Sequence, residues 1–386
     1  MYPSPSLHCS VRPRREASSV CILVTKASGG GAERAMTLLA SEFARGGLHT
    51  TLLSIQEKHP NDYALAADVH FVTLGRKKAS GAVVGLVHTI RRLRPTWLVS
   101  ASLNTDLFVL ALRPLLGIRL NILCSLQNNL SALLEAEAAR GRGFMARHAI
   151  KLYRSADRLT AISHGVAVDA GRHLGPRTAV DGVIPNPLDL SAIDRLRTEP
   201  PPAPMSEQEG PWVLAAGRLT AQKDYPTLLE AFRLARTEYP ALRLAVLGEG
   251  PDRAKLECLA ADLAIHDYVH FLGFVRNPYA AMAHARVFVL SSRYEGFGNV
   301  LAEALACGTE VVSTDCPFGP REILDGGRLG RLVPVGDPRA MATAILEALR
   351  VRRRDPAPVR AWVERYALPA IARAYLEVMG VVRQCA

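Results

Sequence analysis

Short unbroken apolar runs alternate along the chain with stretches whose apolar residues recur three and four positions apart. In the first half, residues 20–24, 46–54, 69–74, 97–100, 120–125 and 159–163 read as strands. In the second half the strand-like runs are 212–216, 242–247, 269–272, 285–290 and 310–314. Most are continuous rather than alternating, the pattern of strands covered on both faces. Helical spacing marks 35–45, 82–93, 144–158, 226–234, 340–350 and 368–382. Strand–helix alternation needs crossover connections, so it predicts parallel sheets in an α/β fold. The stretch 198–210 breaks the rhythm. It is rich in proline and polar residues and reads as a domain boundary or a surface excursion.

With 386 residues, 49% of them hydrophobic, the chain has room for two α/β domains, and disorder is excluded. No apolar run reaches about 18 residues, so no membrane-spanning helix is expected. Residues 1–19 are basic but lack the apolar segment of a signal peptide and read as a flexible leader. The seven cysteines show neither a Cys-x-x-Cys pair nor regular spacing. They suit reduced thiols in a cytoplasmic protein rather than a disulfide framework or a zinc site.

Charge changes the picture of partners. The net +11 sits almost wholly in the first half, where residues 1–200 hold 25 Lys and Arg against 15 Asp and Glu. The rest is near balance, with 22 against 21. Such a surface suits an anionic membrane or an acidic acceptor. No nucleic-acid signature accompanies it, so nucleic acid is not expected as a partner. Residues 144–158 combine Arg and Lys with Phe144, Met145, Ile150, Leu152 and Tyr153. They fit either a helix lying on anionic lipid, peripheral on the inner face of a membrane, or an ordinary helix with a solvated basic face.

The candidate chemistry gathers where strands run into glycine turns. After the strand 285–290, a turn bearing Gly296 and Gly298 leads into a helical pattern. The N–H groups of Gly298, Asn299, Val300 and Leu301 would then face one point at the positive end of a helix, a site for phosphate. Glu295 and Glu303 bracket the turn and suit hydroxyl groups rather than phosphate. Gly30 and Gly31 follow the first strand in the same way, with Glu33 and Arg34 read as a capping pair on the next helix. Arg218 and Lys223 lie on the turn after 212–216. Arg offers a fork and Lys a point charge, which together suit a pyrophosphate. At other strand ends, Asn104, Thr105 and Asp106 are lesser candidates, and so are Gln127, Asn128 and His164.

Together these residues resemble a known family. Glu295, Gly296, Phe297, Gly298 and Glu303 resemble the paired-glutamate motif of retaining glycosyltransferases of family 4, which have the GT-B fold. The segments Gly217–Lys223, Gly30–Arg34, Val183–Asp189, Cys316–Ile323 and Gly327–Asp337 are similar to further family motifs. The resemblance implies two Rossmann-like domains facing each other across a cleft, residues 20–197 for the acceptor and 211–366 for the donor. The intervening 198–210 would be the linker, and 367–386 a helix crossing back to the first domain. It implies a nucleotide-sugar donor, a UDP-sugar favoured over GDP-mannose, and a glycan or polyprenyl-linked acceptor in surface polysaccharide synthesis. Glu295 would meet the donor sugar and Glu303 the ribose. Arg218 and Lys223 would hold the diphosphate, approached also by Gly30 and Gly31.

Neither a metal nor another cofactor is expected, because two cations occupy the role a metal would fill. The sequence departs from the family pattern at Gln127 and Asn128, where many members carry a histidine, and an amide cannot serve as a general base. Gln127, Asn128 and His164 are the candidates for the acceptor side. Two alternatives stay open: a nucleotide-sugar epimerase on the same fold, and a non-catalytic sugar- or lipid-binding relative.

Overall fold

The computed structural model describes residues 18–59, 63–77, 79–117, 119–175, 178–351 and 356–381. Nearly all of the expected leader, and the final residues of the last expected helix, lie outside them.

Two parallel sheets form the frame. The first contains β1 (Ser19–Val24), β2 (His49–Ser54), β3 (His70–Thr73), β4 (Trp97–Ser100), β5 (Asn121–Leu126), β6 (Arg158–Ala161) and β7 (Gly182–Val183), ordered β3-β2-β1-β4-β5-β6-β7. The second contains β8 (Trp212–Ala216), β9 (Arg243–Leu247), β10 (Val269–Gly273), β11 (Val287–Leu290), β12 (Glu310–Thr314) and β13 (Arg331–Val333), ordered β10-β9-β8-β11-β12-β13. Strand order reverses beside β1 in one sheet and beside β8 in the other. At such switch points the following loops diverge and leave a crevice at the carboxyl ends of the strands.

The apolar runs become strands because helices cover both faces of each sheet. Cys21, Ile22 and Leu23 of β1 and Val213 and Leu214 of β8 are fully buried. The helix Gly31–Arg45 starts four residues earlier than its apolar pattern suggests and buries Met36, Leu39 and Phe43. The helix Leu368–Val378 packs beside it, placing Ile371, Tyr375 and Leu376 in the same core as Ile22 and Phe43.

Two local expectations change. Residues 144–158 do not form one helix: an α-helix over Gly143–Ala149 passes into a 3-10 segment over Ile150–Ser155, and Arg158 begins β6. Burial of Ile150 and Tyr153 pulls the second half inward, and Tyr153 OH donates to Asp106 Oδ2 at 2.8 Å. Tertiary packing here overrides the helical period. The second change concerns the crossing between domains. The helix Leu190–Leu196 already packs on the second-domain helices Pro278–His284 and Asn299–Ala306. The chain therefore changes sides before 198–210. Near that point Leu188 pairs with the returning chain, donating to Tyr366 O and accepting from the Leu368 N–H at 2.7 and 2.9 Å.

Candidate functional site

The carboxyl ends of both sheets open on one cleft of about 520 Å³. From the first domain it is lined by the Gly29–Gly31 turn after β1, by Arg34, and by Gln127 and Asn128 after β5. The second domain contributes Arg218 and Lys223 after β8, the Glu295–Val300 turn after β11, and Glu303. The structure thus brings together Gly30, Gly31, Gln127, Asn128, Arg218, Lys223, Glu295, Gly298, Asn299, Val300 and Glu303. It leaves out His164 and Leu301.

Two glycines make the second-domain turn possible. Gly298 caps the helix Asn299–Ala306 at φ +98°, a conformation that a side chain would strain. Gly296 passes so close to the first domain that a Cβ would lie 2.0 Å from the Gln127 carbonyl oxygen. Ser163 Oγ donates to Gly296 O at 2.8 Å, so the turn is held by both domains. The expected count of four free N–H donors falls to three, because Leu301 N–H donates to Gly298 O at 2.9 Å and the Leu301 side chain lies in the core. Gly298, Asn299 and Val300 remain at the helix start, where no preceding turn supplies carbonyl partners. Opposite them stands the start of the helix Gly31–Arg45. A Cβ on Gly31 would come 2.6 Å from Asn299 Nδ2. Two helix N-termini thus approach each other across the cleft, and both favour an anion.

The two glutamates are buried, each 7% exposed, and each has a cation. Glu295 Oε1 accepts from Lys223 Nζ at 2.5 Å and from Ser292 Oγ at 2.6 Å. Glu303 Oε1 accepts from Arg34 Nη1 at 3.2 Å and from Tyr279 OH at 3.3 Å. Burial pushes the Glu303 carboxyl above its ordinary range, opposed by the Arg34 charge and the Tyr279 hydrogen bond. Arg218 stands exposed at the cleft rim.

Gln127 is buried and belongs to an amide chain. Its Nε2 donates to Ser125 Oγ, and its Oε1 accepts from Asn186 Nδ2 at 3.0 Å. Asn186 Nδ2 also donates to Asn299 Oδ1 at 3.2 Å, which links the turn after β5 to the second-domain helix. His164 is exposed outside the cleft, at the start of the helix His164–Leu174. Its backbone N–H and that of Gly165 donate to the Glu322 carboxylate at 3.1 Å each. Asn104 and Thr105 also lie outside the cleft lining, as does Asp106, which is buried within the helix Leu103–Leu116. Among the described residues no three His, Cys, Asp or Glu side chains stand together as a metal site would require.

Sequence reasoning misses the role of Arg34 and Asn186 in the cleft lining and of Tyr279 buried behind it. Arg34 is not half of a capping pair: the helix start at Gly30 has no side-chain cap, and the guanidinium reaches the opposite domain. Tyr279 carries no local signal, since an aromatic on a helix is read first as core, and Asn186, although inside the motif-like segment Val183–Asp189, is read first as a turn residue before proline.

Two sheets of this order meeting at their carboxyl ends define the GT-B fold. Solved structures agree over nearly the whole chain. HepE of Anabaena, in complex with UDP and glucose, superposes with a TM-score of 0.75 at 18% identity, covering 95% of this chain and all of that one. Sucrose-phosphate synthase of Thermosynechococcus elongatus gives 0.74 at 20% identity, covering 95% and 100%. Residues 210–350 match the model of the glycosyl transferases group 1.

Among curated relatives, the N-acetylgalactosamine-N,N'-diacetylbacillosaminyl-diphospho-undecaprenol 4-alpha-N-acetylgalactosaminyltransferase of Campylobacter jejuni is 33% identical over 190 residues. That match covers 49% of this chain and 50% of the relative. The lipopolysaccharide core biosynthesis glycosyltransferase LpsE of Rhizobium meliloti is 34% identical over 194 residues, 49% of this chain and 54% of the relative. The chain therefore spans about half the length of these curated relatives.

Proposed function

We propose that this protein is a retaining glycosyltransferase. It would move a hexose or N-acetylhexosamine from a nucleotide-diphosphate sugar, a UDP-sugar before GDP-mannose, to a glycan or polyprenyl-linked acceptor in surface polysaccharide or glycolipid synthesis. The observation that carries this reading is the convergence of Arg218, Lys223, Glu295, Glu303 and two helix N-termini on one cleft. Its volume lies within the range of small-molecule sites, roughly 300–1,000 Å³. The family match and the names of the relatives support it in the same direction.

In this reading negative charge grows on the departing diphosphate. The Arg218 fork, the Lys223 ammonium and the N–H groups of Gly298, Asn299 and Val300 stabilise it without a metal, and such preorganised charge is the main catalytic lever. Glu295, anchored by Lys223 and Ser292, orients the donor sugar, and Glu303 receives the ribose. Gln127 and Asn128 border the acceptor side and orient hydroxyls without acting as a base. His164 has no part in it. The basic first domain lets the enzyme lie on an anionic inner membrane face.

The direct test is thermal unfolding of the purified chain with UDP, GDP, ADP and CMP. A ligand at 100 times its Kd adds about 2.7 kcal/mol to the native state. A selective shift with UDP, lost in Arg218→Ala, is expected. No shift with any nucleotide at millimolar concentration and low salt would overturn the reading.

A further inference from the structure

The most unusual contact in the cleft joins the domains through charge. Arg34 leaves the first turn of the helix Gly31–Arg45, crosses the cleft, and divides its guanidinium between two second-domain groups. Nη1 donates to Glu303 Oε1, and Nη2 donates to the Tyr279 hydroxyl, which itself donates to Glu303 Oε1. The Arg34 guanidinium also lies 5.9 Å from the centre of the Tyr63 ring and 5.2 Å from that of Tyr279. A surface ion pair of this length would matter little. Here the carboxylate is 7% exposed, so its charge depends on its partners.

Both bonds fall on Oε1. A carboxylate has a second oxygen, and fixing one edge of the group sets the direction of the other. We propose that Arg34 is a positioning residue for the nucleotide: reaching from the first domain, it keeps Glu303 charged and held at Oε1, leaving Oε2 to accept ribose hydroxyls. The proposal rests on the donor-site reading above. Its consequence is that the ribose carboxylate belongs to the second domain while its counter-charge belongs to the first. The nucleotide site is therefore complete only when the domains face each other as they do here, and closure and donor binding are coupled.

The alternative is a latch, in which Arg34 competes with ribose and must let go. The two differ in sign. A positioning residue weakens nucleotide binding when removed, and a latch strengthens it. They differ also in pH dependence. The groups facing Glu303 are Arg34, Tyr279, Tyr63 and Cys307. Among the described residues only Arg34 brings a positive charge to Glu303, and burial already pushes the Glu303 carboxyl up. Without Arg34 the carboxyl would hold its proton to higher pH, so binding would be weakest at low pH and recover as pH rises.

The experiment is calorimetric titration with UDP, GDP, ADP and CMP from pH 6 to 8.5, on the full chain, Arg34→Gln and Arg34→Lys, with melting temperatures for each. For whichever nucleotide binds the unaltered chain, Arg34→Gln should weaken binding roughly tenfold or more at the acidic end, the scale of a lost charged hydrogen bond. That deficit should shrink towards pH 8.5, and Arg34→Lys should restore much of it. Taking the ratio to the unaltered chain removes the titration of the nucleotide itself. Equal or tighter binding in Arg34→Gln, or a deficit flat in pH, overturns the inference and leaves the donor site standing. Failure of the unaltered chain to bind any nucleotide overturns both. Should Arg34→Gln not fold, Tyr279→Phe decides: a smaller loss with the same pH trend supports the inference, and an absent or pH-independent loss overturns it.

Discussion

Lys223 Nζ stands 2.5 Å from Glu295 Oε1, pairing a cation on the turn after β8 with a carboxylate on the turn after its neighbour β11. Neither turn alone explains the pair. The carboxylate is buried and already accepts from Ser292, so its orientation is set before any ligand arrives. Such preorganisation separates a binding group from a surface charge.

Glu295→Gln keeps an oxygen for Lys223 and Ser292 but removes the charge, and Arg218→Ala removes an exposed fork. Each should lower the turnover of sugar transfer by about 100-fold or more, the scale of losing one preorganised group at a charged transition state. The melting temperature of Arg218→Ala should stay near that of the unaltered chain, because Arg218 is exposed, whereas Glu295→Gln should melt lower, because Lys223 loses its buried counter-charge. Near-normal turnover in both variants would refute the proposed site.

If Arg218, Lys223 and the helix N–H groups carry the diphosphate charge, a chelator should leave turnover unchanged. The check is the initial rate with EDTA, followed by added Mg²⁺ or Mn²⁺. Loss in EDTA with recovery on adding either ion would contradict the proposal.

The segment Gly143–Ser155 exposes Phe144 and Met145, at 77% and 62%, beside Arg147. The chain should sediment with vesicles rich in anionic lipid at low salt, and less at high salt, because screening weakens attraction between exposed charges. Replacing Phe144 and Met145 by Ser should reduce the bound fraction. Indifference to anionic vesicles at low salt would end the idea of membrane docking. No described helix is long and apolar enough to cross a membrane.

Asp106 is buried, and burial pushes its carboxyl up to about 7, while the Tyr153 hydrogen bond pulls it down. An unfolded Asp titrates near 3.9, so between about pH 4 and 7 the folded chain binds the extra proton. This group therefore makes stability fall as pH rises through that window, and the penalty is complete above about 7. Asp106→Asn removes the titration. Its melting temperature relative to the unaltered chain should be higher at pH 8 than at pH 5. A difference independent of pH would show that Asp106 ionises normally.

The fold was legible because it depends on short-range patterns. The strands expected over Trp212–Ala216 and Glu310–Thr314 coincide with β8 and β12 residue for residue. The glycine turns mark where those strands pass into helices. Legibility fails where a distant partner decides the local outcome. Residues 144–158 have a helical period, yet Tyr153 turns in to Asp106, 47 positions away, and the helix gives way. Leu301 has the spacing of a phosphate donor, yet the tight first turn takes up its N–H.

By itself the sequence determined two parallel α/β sheets and the residues at their glycine turns, because strand burial, helix spacing and turn chemistry act over a few residues. Only the tertiary structure decided which of those turns share a cleft, that His164 lies outside it, and that Arg34 answers Glu303 at a separation of 269 positions. The reason is physical. Burial of a carboxylate and the cation that balances it are set by how two domains meet, and no local pattern encodes that meeting.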